Sequence, residues 1–169
     1  MTTTHPESQA DHDAVRAVHV AAFPTPAEAG LVDGLRGAGR AVVSLVARQD
    51  ERVVGHVLLS PMSVESNPAG LTVLGLAPLA VLPELQRRGV GSALMHAATA
   101  RCRELGVAAV VLIGDPAYYG RFGFETASRF GLVCEYDVPE EAFVVLELVN
   151  GALAQLGGLA RYSPEFAEL

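Results

Sequence analysis

Cysteine and long apolar runs are both scarce in this sequence. Its two cysteines, Cys102 and Cys134, are too few for a disulfide framework or a four-ligand zinc site. The longest apolar stretch, Gly70 to Leu82, contains a proline and falls short of the roughly 20 residues that a spanning helix needs. The segment from Met1 to Val15 is polar and acidic, without the apolar core of a signal peptide. We therefore expect a reduced, cytoplasmic protein with no membrane partner and no metal site.

Positive charge is scarce as well. All 12 basic residues are arginines, against 19 acidic residues, and the formal net charge is -7. That balance disfavours nucleic acid as a partner. Hydrophobic residues make up 50% of the chain and charged residues 18%, which excludes a disordered or coiled-coil protein. The 169 residues are predicted to form a single domain, residues 1–169, that buries roughly 70% of its surface on folding.

Apolar periodicity predicts the following helices and strands. The helices are Ala14–Phe23, Pro26–Arg36, Arg88–Leu105 and a short piece at Ala117–Arg121; the strands are Ala41–Arg48, Arg52–Ser60, Leu71–Leu82, Val107–Ile113, Leu132–Tyr136 and Ala142–Val149. No strand is evident in Thr2–Ala10. The segment Gly151–Leu169 is an indistinct tail in which Tyr162 and Phe166 are available to dock. The pattern indicates a mixed α/β sheet with helices on both faces, including one strand–helix–strand unit with a parallel pair.

The junction between the strand Leu71–Leu82 and the helix that follows it is the most informative segment. It contains Gln86, Arg87, Arg88, Gly89, Val90, Gly91 and Ser92. Glycines let the backbone approach a ligand closely, and the N–H groups of a first helical turn point outward at the positive end of the helix dipole. Two arginines in an otherwise acidic chain add to that preference. The loop is therefore a candidate site for a phosphate or pyrophosphate.

Two common phosphate loops do not fit this junction. A P-loop requires Gly-Lys-Ser/Thr, which is absent, and a dinucleotide fold requires a third glycine where the chain has Leu94. A glycine-capped helix with no ligand is the remaining alternative, and the glutamine and arginines of the loop count against it.

A second candidate segment runs from Gly114 to Phe124, directly after the second strand of the parallel pair. The carboxyl ends of neighbouring parallel strands are where open α/β sheets bind ligands. We therefore expect Tyr119 near the phosphate loop, with Phe122 and Phe124 as apolar walls.

Both cysteines, Cys102 and Cys134, are interpreted as core residues.

These two motifs resemble those of the GNAT superfamily, the GCN5-related N-acetyltransferases. Gln86–Gly91 matches the Q/R-x-x-G-x-G/A pyrophosphate motif, and Tyr119 with Gly123-Phe124 matches Tyr-x-x-x-Gly-Phe. The segment is similar to that of a bacterial group labelled YhbS-like. The resemblance has its core at residues 71–124 and implies a mostly antiparallel central sheet with one splayed parallel strand pair. Gly75 and Pro78 agree with an interrupted strand there.

The resemblance also implies roles for individual residues. The backbone of Leu79, Ala80 and Val81 would pair with pantetheine amides, and one N–H there would polarise the thioester carbonyl. Residues 86–92 would hold the pyrophosphate, with further cofactor contacts from Asp115 and Phe122. Tyr119 would protonate the departing thiolate or orient the cofactor.

The expected function is thus acetyl-CoA-dependent transfer of an acetyl group to a primary amine by direct attack. The acceptor is a small molecule or a peptide, and a homodimer is compatible with the sequence. The general base is left open between His56 and a water chain, and a core histidine held by a backbone partner is the favoured interpretation of His56. The alternatives are a non-catalytic acyl-CoA sensor and, less favoured, a nucleotide-binding regulatory domain.

Overall fold

A computed structural model describes all residues from 1 to 169. The α-helices are α1 His12–Ala22, α2 Ala27–Gly37, α3 Val90–Glu104 and α4 Pro116–Tyr119. The strands are β1 Thr3–Pro6, β2 Val43–Gln49, β3 Arg52–Pro61, β4 Ser63–Ser66, β5 Val73–Val81, β6 Ala109–Ile113, β7 Glu125–Thr126, β8 Leu132–Cys134, β9 Phe143–Glu147 and β10 Gly157–Arg161. None of the helices has the length and apolar character needed to span a bilayer.

Seven strands form a mixed sheet in the order β1-β2-β3-β5-β6-β9-β7. Strands β5 and β6 pair in parallel, whereas β1–β2, β2–β3, β6–β9 and β7–β9 pair antiparallel. The parallel pairing covers only Val73 to Gly75 on β5, although that strand continues to Val81. The predicted mixed, mostly antiparallel sheet with one short, splayed parallel pair is therefore confirmed.

The chain divides into two compact units. The first contains residues 1–59, 77–101 and 164–169, and the second contains residues 60–76 and 102–163. Strand β5 is split by this division, with residues 73–76 in the second unit and 77–81 in the first. That the chain is one domain stays a prediction.

In the first unit, neighbouring residues of β3 face helices on opposite sides of the sheet. A Cβ on Gly55 would point at Val90 and Leu94 of α3. The next residue, His56, instead bonds to His19 of α1. Since successive side chains of a strand point to opposite faces, α1 and α3 cover the two faces here, as expected.

The first unit also contains β1, a strand that the sequence did not suggest. Thr3 to Pro6 pair in antiparallel register with Leu45 to Arg48 of β2. The strand that is not evident from the sequence of Thr2–Ala10 is therefore present. A short polar edge strand ending in proline lacks the alternation of apolar residues on which strand prediction relies.

The second unit contains a small separate sheet, ordered β4-β10-β8, that the sequence analysis missed. Its middle strand, β10, belongs to the segment interpreted as an indistinct tail. The tail's Tyr162 is buried, and its ring lies against Gly75, where a Cβ would come within 2.8 Å of Tyr162 Cε1. The expected docking of Tyr162 is thus observed, and it depends on the missing side chain of Gly75.

Candidate functional site

The loop after β5 lies in the first unit and is tied back to the strand that precedes it. Residues Pro83–Leu85 form a 3₁₀ turn, and Gln86 Nε2 then donates to the Val81 carbonyl oxygen at 3.1 Å. Arg87 has a φ of 63°, in the left-handed region. A left-handed residue reverses the chain direction sharply, which leads the backbone directly into α3.

From residue 87 to residue 92, no amide N–H makes a short, well-aligned backbone hydrogen bond, although residues 86–89 form a turn. The first backbone bond of the new helix is from Ala93 N–H to the Gly89 carbonyl oxygen, at 3.0 Å. Arg87 and Arg88 are exposed, and neither makes an ion pair. Gly89 has a φ of 87° and no atom within 4 Å of where its Cβ would be. An open row of donors with two unpaired cations beside it fits an anionic ligand.

The start of α3 is held firmly against the sheet. Val90 and Leu94 are buried on the helix face that packs on β3. A Cβ on Gly55 would lie 3.0 Å from Leu94 Cδ1 and 3.1 Å from both Val90 Cγ1 and the Ala80 carbonyl oxygen. Gly55 therefore permits an approach that a larger residue would prevent. Nothing in the sequence singles out this glycine, because only the fold shows what faces it.

Leu79, Ala80 and Val81 lie at the end of β5 in the same unit as the loop. Ala80 is buried, whereas Leu79 and Val81 are half-buried on the other side of the strand. The Val81 carbonyl oxygen accepts the bond from Gln86. The predicted pantetheine-binding strand and the predicted pyrophosphate loop are thus contiguous.

Tyr119 lies in the second unit, at the end of the one-turn helix α4. Asp115 caps that helix, since its Oδ1 accepts from Ala117 N–H at 2.9 Å. The ring of Tyr119 lies over Gly114, where a Cβ would collide with Tyr119 Cε2 and lie 2.9 Å from Cδ2. Gly114 therefore makes room for the tyrosine ring, a role that the sequence analysis missed. Asp115, predicted as a cofactor ligand, has at least a structural role.

Aromatic side chains surround the Tyr119 ring. Tyr118 meets it edge-on at 4.9 Å and Phe124 at 6.1 Å between ring centroids, while Phe122 packs on Tyr118 at 5.4 Å. Burial, with smaller effects of Tyr118 and Asp115, raises the pKa of Tyr119 to about 12. The phenol is therefore neutral and keeps its proton across the physiological pH range.

The predicted site residues thus fall into two sets. Leu79 to Val81 and residues 86–92 belong to the first unit, whereas Asp115, Tyr119 and Phe122 belong to the second. No group of three or more His, Cys, Asp or Glu side chains is arranged to hold a metal ion. Of the two cysteines, Cys102 is buried as expected, but Cys134 is only half-buried, so its interpretation as a core residue was wrong.

His56 lies in the interior of the first unit. It is fully buried, with Nδ1 at 2.8 Å from His19 Nε2 and Nε2 at 2.8 Å from Ser44 Oγ. It is a core histidine, but its partners are side chains rather than the expected backbone group. With both ring nitrogens engaged away from solvent, His56 has no free nitrogen with which to accept a proton from water.

The histidine pair is held in its neutral form. Burial lowers the pKa of His19 to about 4, and burial and the neighbouring His19 lower that of His56 well below its usual value. Glu7 Oε2 lies 3.3 Å from His56 Nε2 and would favour the charged form, but the bidentate ion pair with Arg36 already neutralises this carboxylate. Desolvation therefore dominates at this pair.

Comparison with known proteins agrees with these motifs. A loop with free N–H donors at the start of a helix is typical of proteins that bind a phosphorylated ligand. Residues 4–127 match the family model of the acetyltransferase (GNAT) domain. The chain belongs to the GNAT acetyltransferase family.

Relatives of high similarity cover most of the chain. It is 41% identical over 145 residues to the N-acetyltransferase YhbS of Escherichia coli K12, described as uncharacterized, covering 85% of this chain and 86% of the relative. A crystal structure of E. coli YhbS in complex with CoA superposes with a TM-score of 0.92 at 37% identity, over 98% of this chain and 92% of that one. A GNAT acetyltransferase from Brucella melitensis in complex with acetyl-CoA has a TM-score of 0.79 at 29% identity, over 98% of both chains.

The neutral histidine pair predicts a loss of stability in mild acid. In the unfolded chain His19 has a pKa near 6.5, so below that pH the unfolded state binds more protons than the folded state, and stability falls as the pH falls toward 4. His19 alone should cost about 2 kcal/mol between pH 7 and pH 5. Urea unfolding at both pH values measures this. His19→Gln should flatten the dependence and His96→Gln, at an exposed position of α3, should not; equal stability of the wild type at both pH values would contradict the prediction.

Proposed function

We propose that this protein transfers the acetyl group of acetyl-CoA directly to a primary amine. The observation that carries the proposal is the open row of N–H groups from residue 87 to residue 92, beside two arginines without ion-pair partners. Membership of the GNAT family and the CoA and acetyl-CoA complexes of its relatives support the same cosubstrate. The acceptor is a small molecule or a peptide that carries the amine.

The residues of the first unit fit the cosubstrate in two parts. The N–H groups of residues 87–92, with Arg87 and Arg88, would bind the pyrophosphate by charge-assisted hydrogen bonds. The backbone at the half-buried end of β5, Leu79 to Val81, would bind the pantetheine amides and orient the thioester. The Gln86 side chain supports both parts, because its bond to Val81 keeps the loop at a constant distance from the strand.

Acetyl-CoA supplies an acetyl group activated as a thioester, which a neutral amine attacks at the carbonyl carbon. The C–N bond forms and the C–S bond breaks, so the nitrogen loses a proton to water and the sulfur leaves as a thiolate that solvent protonates afterwards. We assign Tyr119 as the hydrogen-bond donor to the departing sulfur. Asp115 and Phe122 support the tyrosine, the first as the cap of α4 and the second through its packing on Tyr118.

The pKa of Tyr119 decides what kind of donor it is. With a phenol of pKa about 12 and a thiol near 8.5, complete proton transfer to sulfur is uphill by roughly 5 kcal/mol. A hydrogen bond to the developing thiolate gives about 1.5–3 kcal/mol of stabilisation without that cost. We therefore propose that the bond itself, rather than a completed transfer, lowers the barrier.

Thermal unfolding tests the cosubstrate. Acetyl-CoA at 100 times its Kd should stabilise the protein by roughly 2.7 kcal/mol, a shift in Tm of about 5–10 °C, because it binds only the folded state. ATP and NAD at the same concentration should shift the Tm much less.

Arg88→Ala should weaken acetyl-CoA binding roughly tenfold, since it removes one charged contact to phosphate. Arg103→Ala, at an exposed position near the other end of α3, is the matched control and should leave the affinity unchanged. No shift with acetyl-CoA at millimolar concentration would mean that the loop is only a helix cap.

A separate prediction concerns the hydroxyl of Tyr119. Tyr119→Phe should lower kcat about 10- to 100-fold, the loss expected for one hydrogen bond to a developing charge, with acetyl-CoA affinity changed less than about threefold. Tyr118→Phe removes the neighbouring hydroxyl and should change kcat little. Single-turnover release of CoA measures both, and equal rates for wild type and Tyr119→Phe would contradict the assignment. An acyl-CoA sensor would bind the cosubstrate without any release.

Another prediction concerns the position of the Tyr119 ring. Gly114→Ala should displace the Tyr119 ring, because the added Cβ collides with it, and should lower kcat about tenfold or more without lowering acetyl-CoA affinity to the same extent. Gly120→Ala is the control, since no atom lies within 4 Å of its Cβ position and its φ is -56°. If both variants turned over like the wild type, the position of the ring over Gly114 would be irrelevant to the reaction.

A further inference from the structure

The second unit contains a cavity that none of the proposed cofactor-binding or catalytic residues lines. It has a volume of about 260 Å³ and lies between β8, the start of β9 and the segment that joins them. Its walls are largely apolar, with Leu132, Val138 and Phe143 among the lining residues. Val133 is 57% exposed and Tyr136 37% exposed, although both line the cavity, so large apolar side chains remain open to solvent at its mouth.

Backbone contacts connect this cavity to the segment that holds Tyr119. Phe143, in its wall, pairs with Ile113, the last residue of β6. The next residue, Gly114, donates its N–H to the Ala142 carbonyl oxygen at 2.8 Å, and the Tyr119 ring lies over that same glycine. The cavity wall is therefore connected to the tyrosine through backbone contacts within one compact unit.

The charged residue of the cavity lining is an exposed acid without an ion-pair partner. Glu140 is the charged residue of its lining, and the Glu140 carboxylate makes no ion pair and no hydrogen bond. The segment from Cys134 to Glu141 contains four acidic residues and no basic residue. One of these acids, Glu135, is engaged by Tyr162 N–H at 2.6 Å, and the Tyr162 ring packs beside Tyr136 at 5.9 Å. An aromatic face and a free carboxylate at the mouth of an apolar cavity favour an organic cation.

We propose that this cavity binds the acceptor, a compact primary amine whose apolar body is about the size of an amino-acid side chain. The body packs against Val133, Val138 and Phe143, and the ammonium form is attracted to Glu140 and the face of Tyr136. The volume equals that of roughly nine water molecules in the liquid, which suits an arylalkyl or branched alkyl amine better than a protein surface. This assignment rests on the proposed acetyl transfer, but the binding of the amine can be tested without it.

Cys134 provides a direct readout, because it lines the cavity and is half-buried while Cys102 is fully buried. We would measure the rate of Cys134 alkylation by iodoacetamide at mildly alkaline pH, in the absence of acetyl-CoA, with Cys134→Ser to identify the signal. The concentration of phenethylamine that protects the thiol should be about fivefold lower than that of 2-phenylethanol, since the alcohol has the same body without the charge. Methylamine has the charge without the body, so its protective concentration should be at least about tenfold higher than that of phenethylamine.

Matched charge reversals test the role of Glu140. Glu140→Lys should raise the phenethylamine concentration needed for protection roughly tenfold, whereas Glu141→Lys, outside the cavity lining, should change it by no more than about twofold. Equal effects of both reversals, or equal protection by the amine and the alcohol, would overturn the assignment of Glu140. If none of the three probes protects the thiol, the cavity is not a binding site.

Transfer assays then separate the cavity from the reaction. With acetyl-CoA present, kcat/KM for phenethylamine should exceed that for methylamine at least about tenfold, and Glu140→Lys should reduce the difference. If acetyl-CoA binds and both amines are acetylated equally well, the acceptor site lies elsewhere while the proposed function stands. If the thiol is protected but acetyl-CoA does not shift the Tm, the proposed function fails and the cavity is not an acceptor site.

Discussion

The close packing of α3 on β3 at Gly55 is the constraint on which the position of the loop before α3 depends. Leu94, Val90 and the Ala80 carbonyl oxygen all lie within about 3 Å of where a Cβ on Gly55 would be. A helix pressed this closely to the sheet has a fixed first turn, so its N–H groups point in a constant direction. Preorganised donors bind an anion without the entropic cost of ordering a loop. The arginines add charge to a site whose geometry the packing has already set.

Small residues have the same function in the second unit. Gly114 leaves room for the Tyr119 ring, and Gly75 leaves room for Tyr162. In each case the absence of a Cβ determines where an aromatic ring lies, because protein interiors are packed too densely to absorb an extra methyl group without movement. Both glycines lie in or directly after the strands of the parallel pair, β5 and β6, whose pairing ends at Gly75 and Val111.

Burial also decides which titratable groups are available for chemistry. It keeps the Tyr119 phenol protonated and therefore suited to donate a hydrogen bond, whereas it keeps the His19–His56 pair neutral and away from solvent. His56 is therefore unsuited to act as a general base. Desolvation of the charged form keeps both groups neutral. The neutral state suits Tyr119, which must keep its proton in order to donate it to a hydrogen bond. It does not suit His56, which would have to gain a proton in order to act as a base.

The sequence alone determined the elements with strong periodicity and the two motifs. The helix after Gln86, the strands that became β5 and β6, the order of the loop and Tyr119, and the family were all predicted from residue types and spacing. These features are local, because apolar periodicity, glycine punctuation and a motif of six residues can be observed within a short window of chain.

The tertiary structure decided the features that depend on distant partners. Strand β1 forms because β2 offers it a free edge, and the tail becomes a strand because β4 and β8 lie on either side of it. The positions of Gly55 against Leu94 and of Gly75 against Tyr162, and the partners of His56, all join residues far apart in the chain. Such contacts leave no local pattern, because their energy comes from packing and burial between segments that only the folded chain brings together.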